Sequence, residues 1–265
     1  MEIYVIQPPY FMGEEPDGKI AEFLLSELEK VGENSLIVLP EYSNAGGISD
    51  PESEIKAMPR AKMMLKRAAE IAREKSSYVA INVLEKREEK IKNSTYLFDK
   101  NGDVAYIYDK IHLPPSEVKL GVTRGVGDCF FELDGIRFGF MTCYDVYYNE
   151  QIECLAKHKP DIILIPGYQR GERTDILKAQ TKLIAFRCNS YVAKSSYSMN
   201  DDDHGGNSMI VAPDGQILKN IGKGVGTISL DVDVKKKHMR TAGFGEGMVR
   251  NDDFINYGLC PEAFR

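Results

Sequence analysis

A glutamate, a lysine and a cysteine each follow an apolar, β-rich run in this sequence: Glu41 after Leu36–Pro40, Lys110 after Val104–Tyr108, and Cys143 after Ile136–Met141. A free thiol has a pKa of ~8.5, so little of it is thiolate at neutral pH. A neighbouring carboxylate can take its proton, and a neighbouring ammonium can stabilise the anion. The same ammonium, with a backbone N–H, can hold the oxyanion of a tetrahedral intermediate. Singly, each residue has a plainer reading. The cysteine is a small buried hydrophobe, the glutamate a cap or turn residue, and the lysine a solvated charge.

Short β-rich runs alternating with longer amphipathic segments must position these side chains. Ile20, Phe23, Leu24, Leu28 and Val31 recur at helical spacing, as do Met63, Leu65, Ala68 and Ile71. Leu36–Leu39, closed by Pro40, reads as a strand buried on both faces. Further strands are predicted at Tyr78–Val83, Thr95–Phe98 and Val104–Tyr108, the last two joined by a turn containing Asn101-Gly102. A loop through Pro114 and Pro115 leads to a hairpin of Cys129–Leu133 and Ile136–Met141 about Asp134-Gly135. A helix through Ile152 and Leu155, a strand at Ile162–Pro166, a helix from about Thr174 to Asn189 and a strand at Tyr191–Ser195 follow. Met209–Val211 and Ile217-Leu218 flank a turn at Pro213-Asp214-Gly215, and Thr227–Val232 is a final strand. Hairpins mixed with strand–helix–strand units imply an α/β fold of mixed sheets covered by helices. Sites in such folds gather at the carboxyl ends of strands, where all three residues stand.

Length and composition fit a single domain spanning residues 1–265, with 43% hydrophobic and 28% charged residues. The stretch from about 235 to 265 has little periodicity and reads as a tail or loop, one that can pack on a neighbouring subunit. A net charge of −6 argues against a nucleic-acid partner and for a small molecule. No run approaches the ~20 apolar residues that cross a bilayer, so no membrane association is expected. Met1–Gln7 reads as a strand rather than a secretion signal. The five cysteines, Cys129, Cys143, Cys154, Cys188 and Cys260, form no CxxC pair. Neither a zinc site nor a disulfide framework is expected, and a reducing cytoplasm is.

The segments Ile37-Val38-Leu39-Pro40-Glu41, Tyr108-Asp109-Lys110-Ile111-His112-Leu113 and Cys143-Tyr144-Asp145 occur in this order. Together they closely resemble the nitrilase superfamily, the carbon–nitrogen hydrolases. Asn93-Ser94, Asp161–Pro166 and Gly205-Gly206-Asn207-Ser208 extend the resemblance over about residues 1–233. It implies a four-layer α-β-β-α sandwich, commonly paired into homodimers or larger oligomers. It also implies Glu41 as general base, Lys110 as oxyanion stabiliser and Cys143 as nucleophile, with no metal or organic cofactor. Glu117 is the best match to a further substrate-positioning glutamate, and the Tyr144 N–H would share the oxyanion. His112, in the same context as Lys110, is expected to make a structural hydrogen bond.

Cys143 is followed by Tyr144-Asp145, as in the amidase and carbamoylase branches, whereas true nitrilases tend to carry Trp-Glu and this chain has no Trp. The expected substrate is therefore a small amide or N-carbamoyl compound, with a nitrile as an alternative. Tyr147–Glu150 and Cys188-Asn189 depart from common family patterns and leave the subfamily open. Tyr168, Gln169, Arg170 and Arg173 could line the pocket and would suit a carboxylate. Asp201-Asp202-Asp203-His204 would instead favour a cation, so the substrate's charge stays open. A non-catalytic binding protein on the same fold and a redox-sensing cysteine are the readings from other classes.

Overall fold

The computed structural model describes residues 1–10, 18–48, 50–260 and 263. The first half of the chain contains β1 (Glu2–Gln7), α1 (Lys19–Lys30), β2 (Ser35–Val38), α2 (Pro51–Ala57), α3 (Arg60–Glu74), β3 (Tyr78–Arg87), β4 (Lys90–Phe98), β5 (Val104–Asp109) and α4 (Pro115–Leu120). The second half begins with β6 (Phe130–Leu133), β7 (Ile136–Phe140), a 3-10 turn (Cys143–Tyr147), α5 (Asn149–His158), β8 (Ile162–Pro166), α6 (Thr174–Cys188) and β9 (Tyr191–Ser195). It continues with β10 (Met209–Val211), β11 (Ile217–Asn220), β12 (Gly226–Asp231), β13 (Met239–Thr241), β14 (Met248–Arg250) and α7 (Asn251–Tyr257).

Two mixed sheets result, in the orders β12-β1-β2-β3-β4-β5 and β11-β10-β9-β8-β7-β6. Each has three adjacent parallel strands, β1-β2-β3 and β7-β8-β9, extended by antiparallel neighbours. The period-2 alternation of strands explains the layers. Leu36 and Val38 join the core shared by the two sheets, whereas Ile37 and Leu39 pack with Leu24 and Leu28 of α1 and Met64 and Ala68 of α3. On the far side, Leu155 of α5 and Ile184 and Ala185 of α6 close over the second sheet. This is the α-β-β-α sandwich.

Several local expectations need correction. Met63 is half exposed, because the register of α3 turns Ala61, Met64, Ala68, Ile71 and Ala72 inward instead. The Pro114-Pro115 loop contains α4, with Pro115 at its first turn, where a missing N–H costs nothing. Helix α2 was not predicted, since Ala57 is its sole buried residue and no apolar stripe marks it. Its signal is the Asp50 cap, which accepts from the Ser53 N–H at 2.9 Å, followed by Pro51. The β3–β4 hairpin turns through Glu88 and Glu89, both at positive φ, without the Asn-Gly that usually marks such a turn. In the tail, α7 packs on the end of α6 of its own chain. There Asn251 Nδ2 donates to the Phe186 carbonyl at 2.8 Å, and Asn189 Nδ2 to Asp252 at 2.6 Å. Residues 261, 262, 264 and 265 of the tail lie outside the described residues.

One residue breaks the apolar rule of the central strands. Lys194 of β9 lies between Ile165 of β8 and Met209 of β10, fully buried, and its ammonium has no hydrogen-bond partner among the described residues. Burial lowers its pKa from 10.5 to about 8, against the weaker pull of Cys143 and Glu172. The unfolded chain therefore binds more protons between these two values, and stability should rise with pH across that window. Lys194→Met is expected to stabilise the protein at pH 7 by on the order of 3 kcal/mol, an advantage that fades towards pH 10.5. Urea unfolding of both proteins across this pH range checks it; a pH-independent difference would contradict the account.

Candidate active site

Glu41, Lys110 and Cys143 lie beyond the carboxyl ends of β2, β5 and β7, and the stacking of the two sheets brings these ends together. Lys110 is fixed from both sides. Its N–H donates to the Asn93 carbonyl at 2.9 Å, and its own carbonyl accepts from Gly125 at 2.8 Å. A Cβ at Gly125 would collide with the Asp109 carbonyl, so this close approach requires glycine. Asp109 is gripped by Arg87 Nη2, which donates to its two carboxylate oxygens at 2.6 and 2.7 Å.

Cys143 opens the 3-10 turn with φ at 46°, a left-handed backbone that costs a non-glycine residue about 1–2 kcal/mol. Asp145 holds the strained elbow in place. Its Oδ2 accepts from the Thr142 N–H and the Tyr108 hydroxyl, each at 2.8 Å. Its Oδ1 accepts from the His112 N–H at 2.9 Å and meets His112 Nδ1 at 2.8 Å. Tyr108 and His112 flank Lys110, so one fully buried carboxylate ties the lysine loop to the cysteine elbow. His112 makes the structural hydrogen bond expected of it, which raises its pKa.

At the centre, Lys110 Nζ donates to Glu41 Oε1 at 2.8 Å and to Glu117 Oε1 at 3.0 Å. Asn93 Nδ2 bridges the same two oxygens at 2.7 and 2.8 Å, and the Tyr42 hydroxyl donates to Glu117 Oε1 at 2.8 Å. Asn93 is oriented by Asn82 Nδ2, which donates to its Oδ1 at 2.7 Å. Two buried groups keep unused capacity. An ammonium has three N–H groups, and Lys110 gives two of them to protein acceptors among the described residues. Glu117 Oε2 is buried with no partner among them at all.

Burial drives the electrostatics. It pushes the Cys143 thiol well above its ordinary pKa, and the Glu41 carboxylate, which it meets in a hydrogen bond, adds to this. Lys110 and the Tyr168 N–H pull the other way without prevailing. For Lys110 burial opposes the charge, yet Glu41, Cys143 and Glu117 together raise its pKa. Burial also raises Glu117, against Lys110. The resting site is a neutral thiol beside a carboxylate and a fixed ammonium.

These residues line a cavity of about 200 Å³, small for a ligand site, and its wall includes Tyr42, Glu54, Tyr168 and Arg170. A wider depression beside β11 and β12, lined by Asp214, Lys236 and His238 among others, has no cysteine, serine or threonine in its wall. Of the residues expected at the pocket, Tyr168 and Arg170 are there, and Tyr144 stands at an adjoining opening with Cys143. Gln169 lines that same opening, largely buried, with its amide against Tyr147 and Gln180. Arg173 and His204 are elsewhere: they pair in an antiparallel bridge and line a separate surface depression. Arg173 is neutralised there by Asp175 at 2.6 Å, so the chain's turn after Arg170 takes both away from Cys143. Asp201, Asp202 and Asp203 sit in that exposed loop too. Cys129 and Cys154 are free thiols, with Cys129 Sγ donating to Cys154 Sγ at 3.0 Å.

Sequence reading missed Asn93, Tyr42 and Asp145 as parts of this network, although all three stand in or beside the recognised motifs. It also missed Glu54, on the unpredicted α2. Among the described residues no group of three or more His, Cys, Asp or Glu is arranged to hold a metal, and no helix is long and apolar enough to cross a membrane. Asp145→Asn is expected to destabilise the fold by roughly 3 kcal/mol, because an amide turned either way meets two donors. A urea midpoint within error of the parent would contradict this.

A model of the carbon–nitrogen hydrolase family matches residues 8–237. A 2-oxoglutaramate amidase of Bacillus subtilis (strain 168) is 25% identical over 228 residues, covering 82% of this chain and 85% of that protein. An (R)-stereoselective amidase of a Pseudomonas species is 28% identical over 222 residues, covering 79% and 77%. Among solved structures, a variant of the Nesterenkonia AN1 amidase from the nitrilase superfamily superposes with a TM-score of 0.74 at 19% identity, covering 88% of this chain and 90% of that one. A second variant of that amidase, with acrylamide added at its active-site cysteine, gives 0.72 at 19% identity, covering 88% and 93%. The two structures share the sandwich fold, and the family model spans nearly all of the catalytic core; this chain belongs to the carbon–nitrogen hydrolase family.

Proposed function

We propose that this chain hydrolyses a small, non-peptide amide or N-carbamoyl group through a thioester on Cys143. One observation carries the reading: a thiol, two carboxylates and an ammonium converge on one small cavity, with a free ammonium N–H and a free carboxylate oxygen left for a ligand. A primary amide has the matching pair, a carbonyl oxygen to accept and an NH2 to donate. A nitrile has no N–H to offer Glu117, which favours the amide. The curated relatives that are named as amidases point the same way.

The reaction follows from the contacts. Glu41 takes the thiol proton as Cys143 Sγ attacks the carbonyl carbon. The Lys110 ammonium and the Tyr144 N–H, in a first turn whose N–H groups lack helical acceptors, receive the oxyanion. Glu117 Oε2 accepts from the substrate NH2 and orients it. The tetrahedral intermediate collapses with loss of the C–N bond, and the leaving nitrogen departs as ammonia or an amine with the proton held by Glu41. Water, deprotonated by Glu41, attacks the thioester; the C–S bond breaks and the returned proton restores the thiol. Because the resting thiol is neutral, proton transfer accompanies attack rather than preceding it.

Ammonia release from a panel of aliphatic amides, ω-amides and N-carbamoyl amines tests this. Turnover is expected with at least one class and should vanish in Cys143→Ala, which keeps the parent's melting temperature. Undiminished release in that variant would overturn the assignment.

A further inference from the structure

The chemistry above consumes the catalytic end of the cavity but leaves two charges in its wall unexplained, Glu54 from α2 and Arg170 from the loop after β8. We propose that Glu54 and Arg170 read the ammonium and carboxylate of an α-amino acid, so that the preferred substrate is the side-chain amide of an amino acid, for which glutamine serves as the probe. This rests on the amidase reading, and it decides the substrate charge that the sequence leaves open.

Arg170 differs from Arg87 and Arg173. Arg87 grips Asp109 and Arg173 grips Asp175, but Arg170 makes no ion pair with any carboxylate among the described residues. It lies instead over the rings of Tyr168 and Tyr10, 4.6 and 5.6 Å from their centroids, and gives one N–H to the Tyr10 hydroxyl at 2.7 Å. A guanidinium has five N–H groups, so this arrangement holds the fork still while keeping donors for a carboxylate. Stacking also lowers the entropy lost when that carboxylate binds.

Glu54 is the complementary case. It is partly buried, and its carboxylate makes no hydrogen bond or ion pair among the described residues; its backbone N–H donates to the Asp50 carbonyl at 3.1 Å. The charges it feels are mostly acids, Glu117, Asp50 and Glu41, with Arg170 opposing them. Burial and these acids raise its pKa to about 7, the mark of a carboxylate short of a cation. A substrate ammonium would relieve that shortage. An anion without an ammonium would satisfy Arg170 but worsen the crowding at Glu54, so the pair selects a zwitterionic head over a plain carboxylate. With the amide at Cys143, the amino-acid head sits at the other end of a short molecule, as the cavity of about 200 Å³ requires.

The test uses four matched amides on the intact protein: glutamine, glutaramate (no ammonium), 4-aminobutanamide (no carboxylate) and butyramide (neither). The expected order in kcat/KM puts glutamine first, by about 100-fold over butyramide. Arg170→Gln should reduce the glutamine to 4-aminobutanamide ratio at least tenfold, and Glu54→Gln should likewise reduce the glutamine to glutaramate ratio. Glutaramate preferred over glutamine, and improved by Glu54→Gln, would overturn the zwitterion in favour of a carboxylate alone. Equal rates on all four, unmoved in ratio by either variant, would make both groups mere solvated charge while leaving the amidase reading intact. No ammonia from any of the four, butyramide included, together with silence on the wider panel, would remove the amidase reading and this proposal with it.

Discussion

Two carboxylates sharing one buried ammonium are expensive to assemble, and most of the molecule around them is arranged to make that assembly tolerable. Lys110, Glu41 and Glu117 are almost wholly withdrawn from solvent, where an isolated charge would cost several kcal/mol. One ammonium cannot neutralise two carboxylates, so neutral donors supply the remainder: Asn93 to both, Tyr42 to Glu117. Asn93 is in turn held by Asn82, whose Oδ1 accepts from the Tyr42 N–H at 2.9 Å. The polar core is a closed loop across β3, β4 and the segment after β2, and a half-satisfied version of it would be worse than an apolar core. Among the described residues Glu117 Oε2 and one N–H of Lys110 stay unsatisfied, and the proposed amide substrate would bind there.

The same constraint explains why the second sheet must meet the first where it does. Cys143 comes from a different sheet from Glu41 and Lys110, so the proposed catalysis depends on the registry of two layers. Asp145 fixes that registry by bonding Thr142 at the elbow together with Tyr108 and His112 beside the lysine. A shift of an ångström between layers would separate thiol from carboxylate, and misplacement on that scale is costly to a reaction. Apolar packing gives the sheets their affinity; the buried carboxylate gives them their alignment.

The parts legible in the sequence were those written in contiguous residues. Apolar runs exposed the strands that carry Glu41, Lys110 and Cys143, and Asn101-Gly102 and Asp134-Gly135 exposed their hairpins. The Glu88-Glu89 turn was opaque because its residue types favour no positive φ. Helix α2 was opaque because it presents almost no apolar face, and with it Glu54 was lost. Chain direction after a strand is set by tertiary contacts, so neighbouring residues parted company: Arg170 turned into the cavity, while Arg173 turned to Asp175 and the His204 loop. Lys194 was hidden for the opposite reason, since Tyr191–Ser195 reads as a strand whether or not its lysine is buried.

The central claim is that Glu41 acts on Cys143 as a base and not merely as a nearby charge, and the rate of Cys143 alkylation by iodoacetamide in Glu41→Gln separates the two. The variant removes a negative charge that holds the thiol's pKa up, so electrostatics alone would speed the reaction. Loss of the proton acceptor would slow it. Slower alkylation of Cys143 in Glu41→Gln than in the parent at pH 7, by tenfold or more, is the predicted result. Equal or faster alkylation would contradict the account.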